Sequence, residues 1–340
     1  MPRRTRRRRK NPRTLQVFLL IVLILLTVCV AVKAFFLKAP AQKAPVLPAQ
    51  PAAADTDTPQ SQEEQDAQAA QEAALRSHLE RKGGFYTILL SGVDDGNGGS
   101  DTNILVAVDT VNGYIYGVSI PRDSKAFIDG KAHKINYAYN KGGMELLADI
   151  VSEQLGIPVD YTVCVNLQGF TSLVDAIGGV DFDVPLNMDY DDPIQGLSIH
   201  FQKGMQHLSG ADALRVVRFR HNNDGTGYGS EDLGRMQTQQ KFLKAVAKKM
   251  LSAGNILTKI DDYARIFQQY VDTDLSVGNL AWLGTEALKM GLDSIDFSTL
   301  PNEWKSPYIY LNPDETLTLV NTYLNPYVED RTAEDLNLPS

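Results

Sequence analysis

Residues 15–32 hold only two polar side chains, Gln16 and Thr27, and they follow seven arginines and a lysine within the first thirteen positions. No other feature constrains the chain as strongly. Such an eighteen-residue stretch, continued past Lys33 by Ala34-Phe35-Phe36-Leu37, can cross a bilayer core when the ends snorkel or the helix tilts. A cleaved export signal is the competing reading. Its apolar stretch would be shorter and would end in a small-x-small site, which Ala39-Pro40-Ala41 matches poorly. The expectation is one uncleaved transmembrane helix over residues 15–37, anchoring the chain in the cell membrane as a single-pass protein. The basic cluster ahead of it predicts a cytoplasmic tail, residues 1–14, and an extracytoplasmic position for everything that follows.

The charge balance agrees. The chain carries 33 Lys/Arg and 41 Asp/Glu, but ten of the basic residues and none of the acidic ones lie in the first 38 positions. After Lys38 the balance is −18, which argues against a nucleic-acid partner, since phosphate neutralisation needs clustered Lys and Arg. Membrane topology and anionic lipid account for the basic tail. The two cysteines, Cys29 and Cys164, support neither a disulfide framework nor a cysteine zinc site. The histidines, His200 and His207 being the nearest pair, lack the third ligand of a metal site. Residues 38–82 are expected to be linker and stalk: proline-rich to residue 59, then rich in Ala, Gln and Glu. There Ser61-x-x-Glu64 resembles a capping box ahead of a helix over 67–81, and Gly83-Gly84 ends it.

Residues 85–93 (FYTILLSGV) then read as a buried strand, and 103–109 and 114–120 as a hairpin turned at Asn112-Gly113. Helices are expected over 143–155 and 168–177, and strands over 161–165 and 180–184. A short helix at 209–214 should run into a strand at 215–220. A long helix over 232–251 has Leu233, Met236, Leu243, Ala247 and Met250 at helical spacing. With a late strand near 294–300, the alternation predicts the α/β class. The expected fold is a layered αβα domain around a central mixed β-sheet over residues 83–330, with 331–340 a tail.

Chemistry-bearing residues fall at the ends of these elements. The first strand ends in Gly92-Val93-Asp94-Asp95 on a glycine-rich loop leading to Ser100-Asp101-Thr102, where α/β proteins place ligands. Asp94 and Asp101 suit a hard cation whose shell phosphate oxygens complete; an acidic turn chosen for its backbone chemistry is the alternative. Ile120-Pro121-Arg122-Asp123 ends the hairpin. Arg218 and Arg220, two apart on the expected strand, would share one face and hold an anion between them, or else simply face solvent. Asp232, Arg235 and Gln239 make a polar stripe on the long helix, which an ordinary surface pair with a capping Asp would also explain. Together these residues point to arginines and carboxylates around a metal-bound pyrophosphate.

The ordered motifs GVDD (92–95), SDT (100–102), SIPRDS (119–124), KINYAYNKGG (134–143), GFTSLVDAIGGVDFDVP (169–185), KGMQHLSGADALRVVRFRH (203–221) and DLGRMQTQQ (232–240) resemble the LytR-CpsA-Psr family. The resemblance is close over about 85–250 and looser to about 330. It implies a phosphotransferase that moves a glycopolymer from a polyprenyl-diphosphate lipid carrier onto peptidoglycan. It also implies Mg²⁺ at Asp94 and Asp101, and diphosphate at Arg122, Arg218, Arg220 and Arg235 with Gln239 beside them. Asp232 is nominated as a supporting or proton-accepting carboxylate. Gly96, Gly99 and Thr238 stand where the family commonly carries cations. Two other roles fit the family: a non-catalytic scaffold binding polyprenyl-linked glycans, and a membrane-bound transcriptional attenuator, which the charge balance disfavours.

Overall fold

A strand apolar on both sides of its pleat has to be covered on both sides. Phe85–Val93 (β1) is buried along nearly its whole length in the computed structural model, which describes residues 37–43, 79–93, 99–194, 196–229, 231–250, 262–263 and 265–340. Nearly all of the transmembrane helix expected over 15–37 and of the 67–81 helix, and Asp94 and Gly96, lie outside the described residues. At the end of that expected helix Arg81 is not helical; it bridges to Tyr327. Among the described residues no helix is long and apolar enough to cross a membrane.

β1 is followed by Ser100–Asp109 (β2) and Tyr114–Ile120 (β3), paired antiparallel in the expected hairpin order. A short hairpin, Lys125–Ile128 (β4) and Lys131–Lys134 (β5), precedes the helix Asn136–Leu155 (α1). The sequence suggested only the second half of α1, because Gly142 and Gly143 interrupt its helical geometry. Tyr161–Asn166 (β6) returns parallel to β1 and leads into Leu167–Ala176 (α2), capped by Asn166. Val180–Val184 (β7), Met188–Asp192 (β8), Leu197–Phe201 (β9) and Gly204–Leu208 (β10) form two small antiparallel pairs, β7 with β10 and β8 with β9.

Residues 215–220 are not a strand. Gly210–Arg218 (α3) is one helix, started by the Ser209 side chain accepting from the Asp212 amide and left at Phe219 in an extended conformation. The β-branched run loses to helical burial: Ala213 and Val216, three apart, sit in the core with α2. Gly210 is required there, since a Cβ would collide with the Thr171 carbonyl.

Glu231–Met250 (α4) matches the expected long helix. Val271–Thr273 (β11), Val277–Met290 (α5) and Ile295–Thr299 (β12) follow. Asn302–Lys305 (β13), Tyr308–Leu311 (β14) and Pro313–Leu319 (α6) lead to the C-terminal segment. The central sheet runs β11-β6-β1-β2-β3-β12 and is mixed, with β6 and β12 parallel to their neighbours β1 and β3. Phe85, Leu89, Leu105 and Val118 bury one face against α1, while Tyr86, Ile88 and Val108 pack toward α5. A second core joins α2, α3 and α4 to β7–β10. Residues 331–340 are laid on the domain: Arg331 is 3% exposed and Asn337 bonds to Gln154 of α1.

Residues 38–43 also lie on the domain. Gln42 donates to the carbonyls of Lys82 and Phe85, and Tyr161 donates to Ala41. The Lys43 amide reaches Asp160. Asp160, fully buried, also receives the Arg81 guanidinium and the Thr87 amide and hydroxyl.

Candidate functional site

A cavity of about 520 Å³ lies between the β1–β2 part of the sheet and the helices α2, α3 and α4. Its walls are apolar: Leu90 and Ile104 from the sheet, Phe170 and Leu173 from α2, Leu214 and Val217 from α3, Phe242 and Leu243 from α4. Charged residues gather where it meets a second, small crevice of about 20 Å³; Asp101, Arg122, Arg235 and Gln239 line both. Arg218, Arg220 and His221 line the large cavity as well.

Each side chain is positioned by local chemistry. Arg122 follows the end of β3 at Pro121, and its guanidinium donates to Asp101 at 2.7 Å; both are partly exposed. Arg218 is in the last turn of α3 and Arg220 in the extended stretch beyond it. The two do reach one cavity, but from a helix end and a loop rather than from one strand face. That loop is pinned to β8: Asn222 accepts from the Asp189 amide and Asn223 from the Asp191 amide. His221 gives its Nδ1 proton to the Asn222 carbonyl and meets the Tyr190 ring edge-on.

Arg235, on α4, is 8% exposed. Gln239 one turn on donates to the Val217 carbonyl, tying α4 to α3. Gln240, which the motif reading passed over, fixes α4 to the sheet edge through Ser119, Ser298 and Thr299. Only its pairing with Gln239 hinted at this. Asp232 lies in the first turn of α4, but its side chain lies outside the described residues.

Among the described residues, Thr238 and Gly99, two of the positions without the usual cations, have structural occupations. Thr238 is buried and bonds Tyr228 and the Gly234 carbonyl, and is not among the residues lining the cavity. Burial pushes the Tyr228 phenol above its usual range, and the Thr238 bond partly offsets this. Gly99 has φ +72°, and a Cβ there would stand 2.6 Å from the Asn136 carbonyl, so an arginine does not fit this backbone. The acidic face of the hairpin β8–β9 is exposed: His200 Nδ1 meets Asp189 at 2.7 Å and its other nitrogen meets Asp191 at 3.3 Å. The bond to Asp189 chiefly raises the His200 pKa, and the Ser198 hydroxyl chiefly lowers that of Asp191.

Among the described residues no cluster of three or more His, Cys, Asp or Glu converges as a metal cage. Asp101 is a carboxylate lining the cavity. One or two carboxylates completed by ligand phosphates is the usual magnesium arrangement, so the donor chemistry fits a cation brought together with a phosphate ligand.

An apolar cavity whose lining also carries four arginines and a carboxylate, on a mixed α/β scaffold, has the surface chemistry that suits an amphiphilic anion. The chain belongs to the LytR_cpsA_psr family, whose model matches residues 49–324. It is 33% identical over 241 residues to the polyisoprenyl-teichoic acid–peptidoglycan teichoic acid transferase TagV of Bacillus subtilis, covering 68% of this chain and 59% of that protein. It is 38% identical over 195 residues to TagU of Bacillus cereus, covering 56% and 60%. The chain thus matches about three fifths of the length of these curated relatives. The crystal structure of B. subtilis TagV superposes with a TM-score of 0.60 at 30% identity, over 71% of this chain and 96% of that one. TagT bound to LI-WTA superposes at 0.56 and 26% identity, over 72% and 91%.

Proposed function

We propose that this protein is a phosphotransferase that moves a glycopolymer from a polyprenyl-diphosphate carrier onto peptidoglycan. The observation that carries the reading is the cavity itself. An apolar chamber of about 520 Å³ is lined as well by arginines suited to a diphosphate. The named activities of the TagV and TagU relatives support it.

In this reading the lipid tail occupies the chamber walled by Phe170, Leu173, Leu214 and Phe242. Arg122, Arg218, Arg220 and Arg235 hold the diphosphate, with Gln239 beside them. A hydroxyl oxygen of the acceptor sugar bonds to the glycan-side phosphorus as the bridging P–O bond breaks, and polyprenyl monophosphate leaves. The guanidiniums neutralise the charge that develops on the departing phosphate. The hydroxyl proton goes to a carboxylate, for which Asp232 is the nominee. Asp101, with Asp94, would hold Mg²⁺, which supplies further charge neutralisation when bound. Residues 15–37 would anchor the chain, and residues 38–340 would work outside the membrane beside both substrates.

The test uses the full chain in detergent, supplied with polyprenyl-diphosphate-linked glycan, peptidoglycan and Mg²⁺. Glycan becoming covalently bound to peptidoglycan, with release of polyprenyl monophosphate, is the expected result. Tight lipid binding without any transfer would leave the scaffold role instead, and no lipid binding would overturn both.

A further inference from the structure

The hairpins β4–β5 and β13–β14 meet beside the small crevice and present a large aromatic side chain to solvent. Trp304 is 56% exposed, which is unusual for a residue of such apolar area. Its cross-strand partner is Ile309, which lines the crevice with Asp101, Arg122 and Arg235. The Lys134 ammonium lies 6.0 Å from the Trp304 ring centroid and 3.1 Å from Asp123, the neighbour of Arg122. Phe127 of β4 is also 56% exposed, with Lys125 packed over both it and Tyr310.

We propose that Trp304, with Lys134 beside it, is the stacking platform for the acceptor glycan. This rests on the transferase reading and extends it to the acceptor. The chemistry of the surface suits a saccharide. The C–H face of a pyranose carries partial positive charge and lies flat on the electron-rich face of an indole. The lysine meets hydroxyls or the carboxylates of an acidic substituent.

The geometry assigns the surface to the acceptor rather than the donor. Two openings share Asp101, Arg122, Arg235 and Gln239. The apolar chamber is walled by the sheet and α2–α4, and no residue of β4, β5, β13 or β14 lines it. The crevice is lined by Asp123 and by Ile309 of β14, the cross-strand partner of Trp304. In phosphoryl transfer the attacking and leaving oxygens lie roughly in line on opposite sides of phosphorus. With the lipid phosphate departing on the chamber side, the hydroxyl arrives from the crevice side, where Trp304 stands.

The experiment titrates the full chain in detergent with soluble, uncrosslinked peptidoglycan strands while following tryptophan emission. The expected result is a saturable change that disappears in Trp304→Phe, since Trp282, packed edge-on against Tyr86, remains. In transfer assays Trp304→Ala should raise the strand KM roughly three- to tenfold, the scale of one aromatic contact. Its kcat and lipid-donor KM should stay within about twofold, and Trp304→Phe should recover part of the loss. A strand KM unchanged in Trp304→Ala, or a rise in the donor KM instead, overturns the platform and leaves the transferase standing. A chain whose Trp304 responds to strands while it transfers nothing keeps the platform and sinks the transferase.

Discussion

Two arginine–carboxylate pairs, each with N···O of 2.7 Å, sit in opposite surroundings. Arg81–Asp160 is closed: the carboxylate has no exposure and accepts from Arg81, from Lys43 and from the amide and hydroxyl of Thr87. Arg122–Asp101 is open: its members are 25% and 43% exposed and stand where two cavities meet. A pair whose lone pairs are all taken by the protein holds chain segments together. A pair left at the edge of a void keeps capacity for an outside partner, and its own contribution to stability is small.

The comparison can be broken in four places. Asp160→Ala should have the largest effect, lowering unfolding stability by about 3–5 kcal/mol because it strands a buried guanidinium. Urea denaturation measures this, and the lipid affinity of the molecules that remain folded should not change. Asp101→Ala should do the reverse. Transfer in the presence of Mg²⁺ should fall by at least about a hundredfold, while the melting curve moves by no more than an exposed pair is worth, about 1 kcal/mol. Retained activity in Asp101→Ala would remove the metal assignment.

Arg220→Ala should weaken polyprenyl-diphosphate binding by about 1.5–3 kcal/mol, the size of a hydrogen bond to a charged group, and Arg220→Lys should restore only part. Unchanged affinity with a large stability loss would make Arg220 structural, like Arg81.

The smallest effect belongs to a fully exposed pair, His200 with Asp189. Its folded pKa is raised above the ordinary imidazole value of 6.5, chiefly by the Asp189 bond. What it adds to the β8–β9 hairpin is therefore fully present below pH 6.5 and is lost as pH rises through the folded value. A proton NMR titration should place the His200 midpoint above 6.5, and Asp189→Asn should bring it back toward that value.

How much of this was legible depends on whether the signal was local. β1 to β3 could be read because apolar runs were punctuated by Asn112-Gly113, and α4 because its apolar residues recur at helical spacing. Val216-Val217-Arg218-Phe219 misled because β-branched residues suit a strand, whereas burial of Ala213 and Val216 beside α2 decided for a helix. The hairpins of four or five residues escaped because their strands are short and half polar, although Asp129-Gly130 offered a turn signal that Asp129 confirms with φ 51°. In the site, Arg122, Arg218, Arg220, Arg235, Gln239 and Asp101 were legible as charged or polar residues in unusual places, and all of them line the cavity. Its apolar wall was not legible. Leu214, Val217 and Phe242 read as ordinary core until the backbone leaves a void between them. Trp304 and Lys134 come from segments far apart in the chain, so no motif could join them.

The Asp160 clasp has a consequence for the chain that runs between its two halves. Lys43 and Arg81 meet at the same carboxylate, and Lys38 is already bonded to Asn279 of α5. Two residues 38 positions apart are thus held at one point of the fold. In the anchored arrangement proposed above, the first fixed points, Lys38 and Lys43, would come directly after the span. Such a domain would be mounted rather than leashed, with one orientation toward the bilayer instead of a volume swept by a tether.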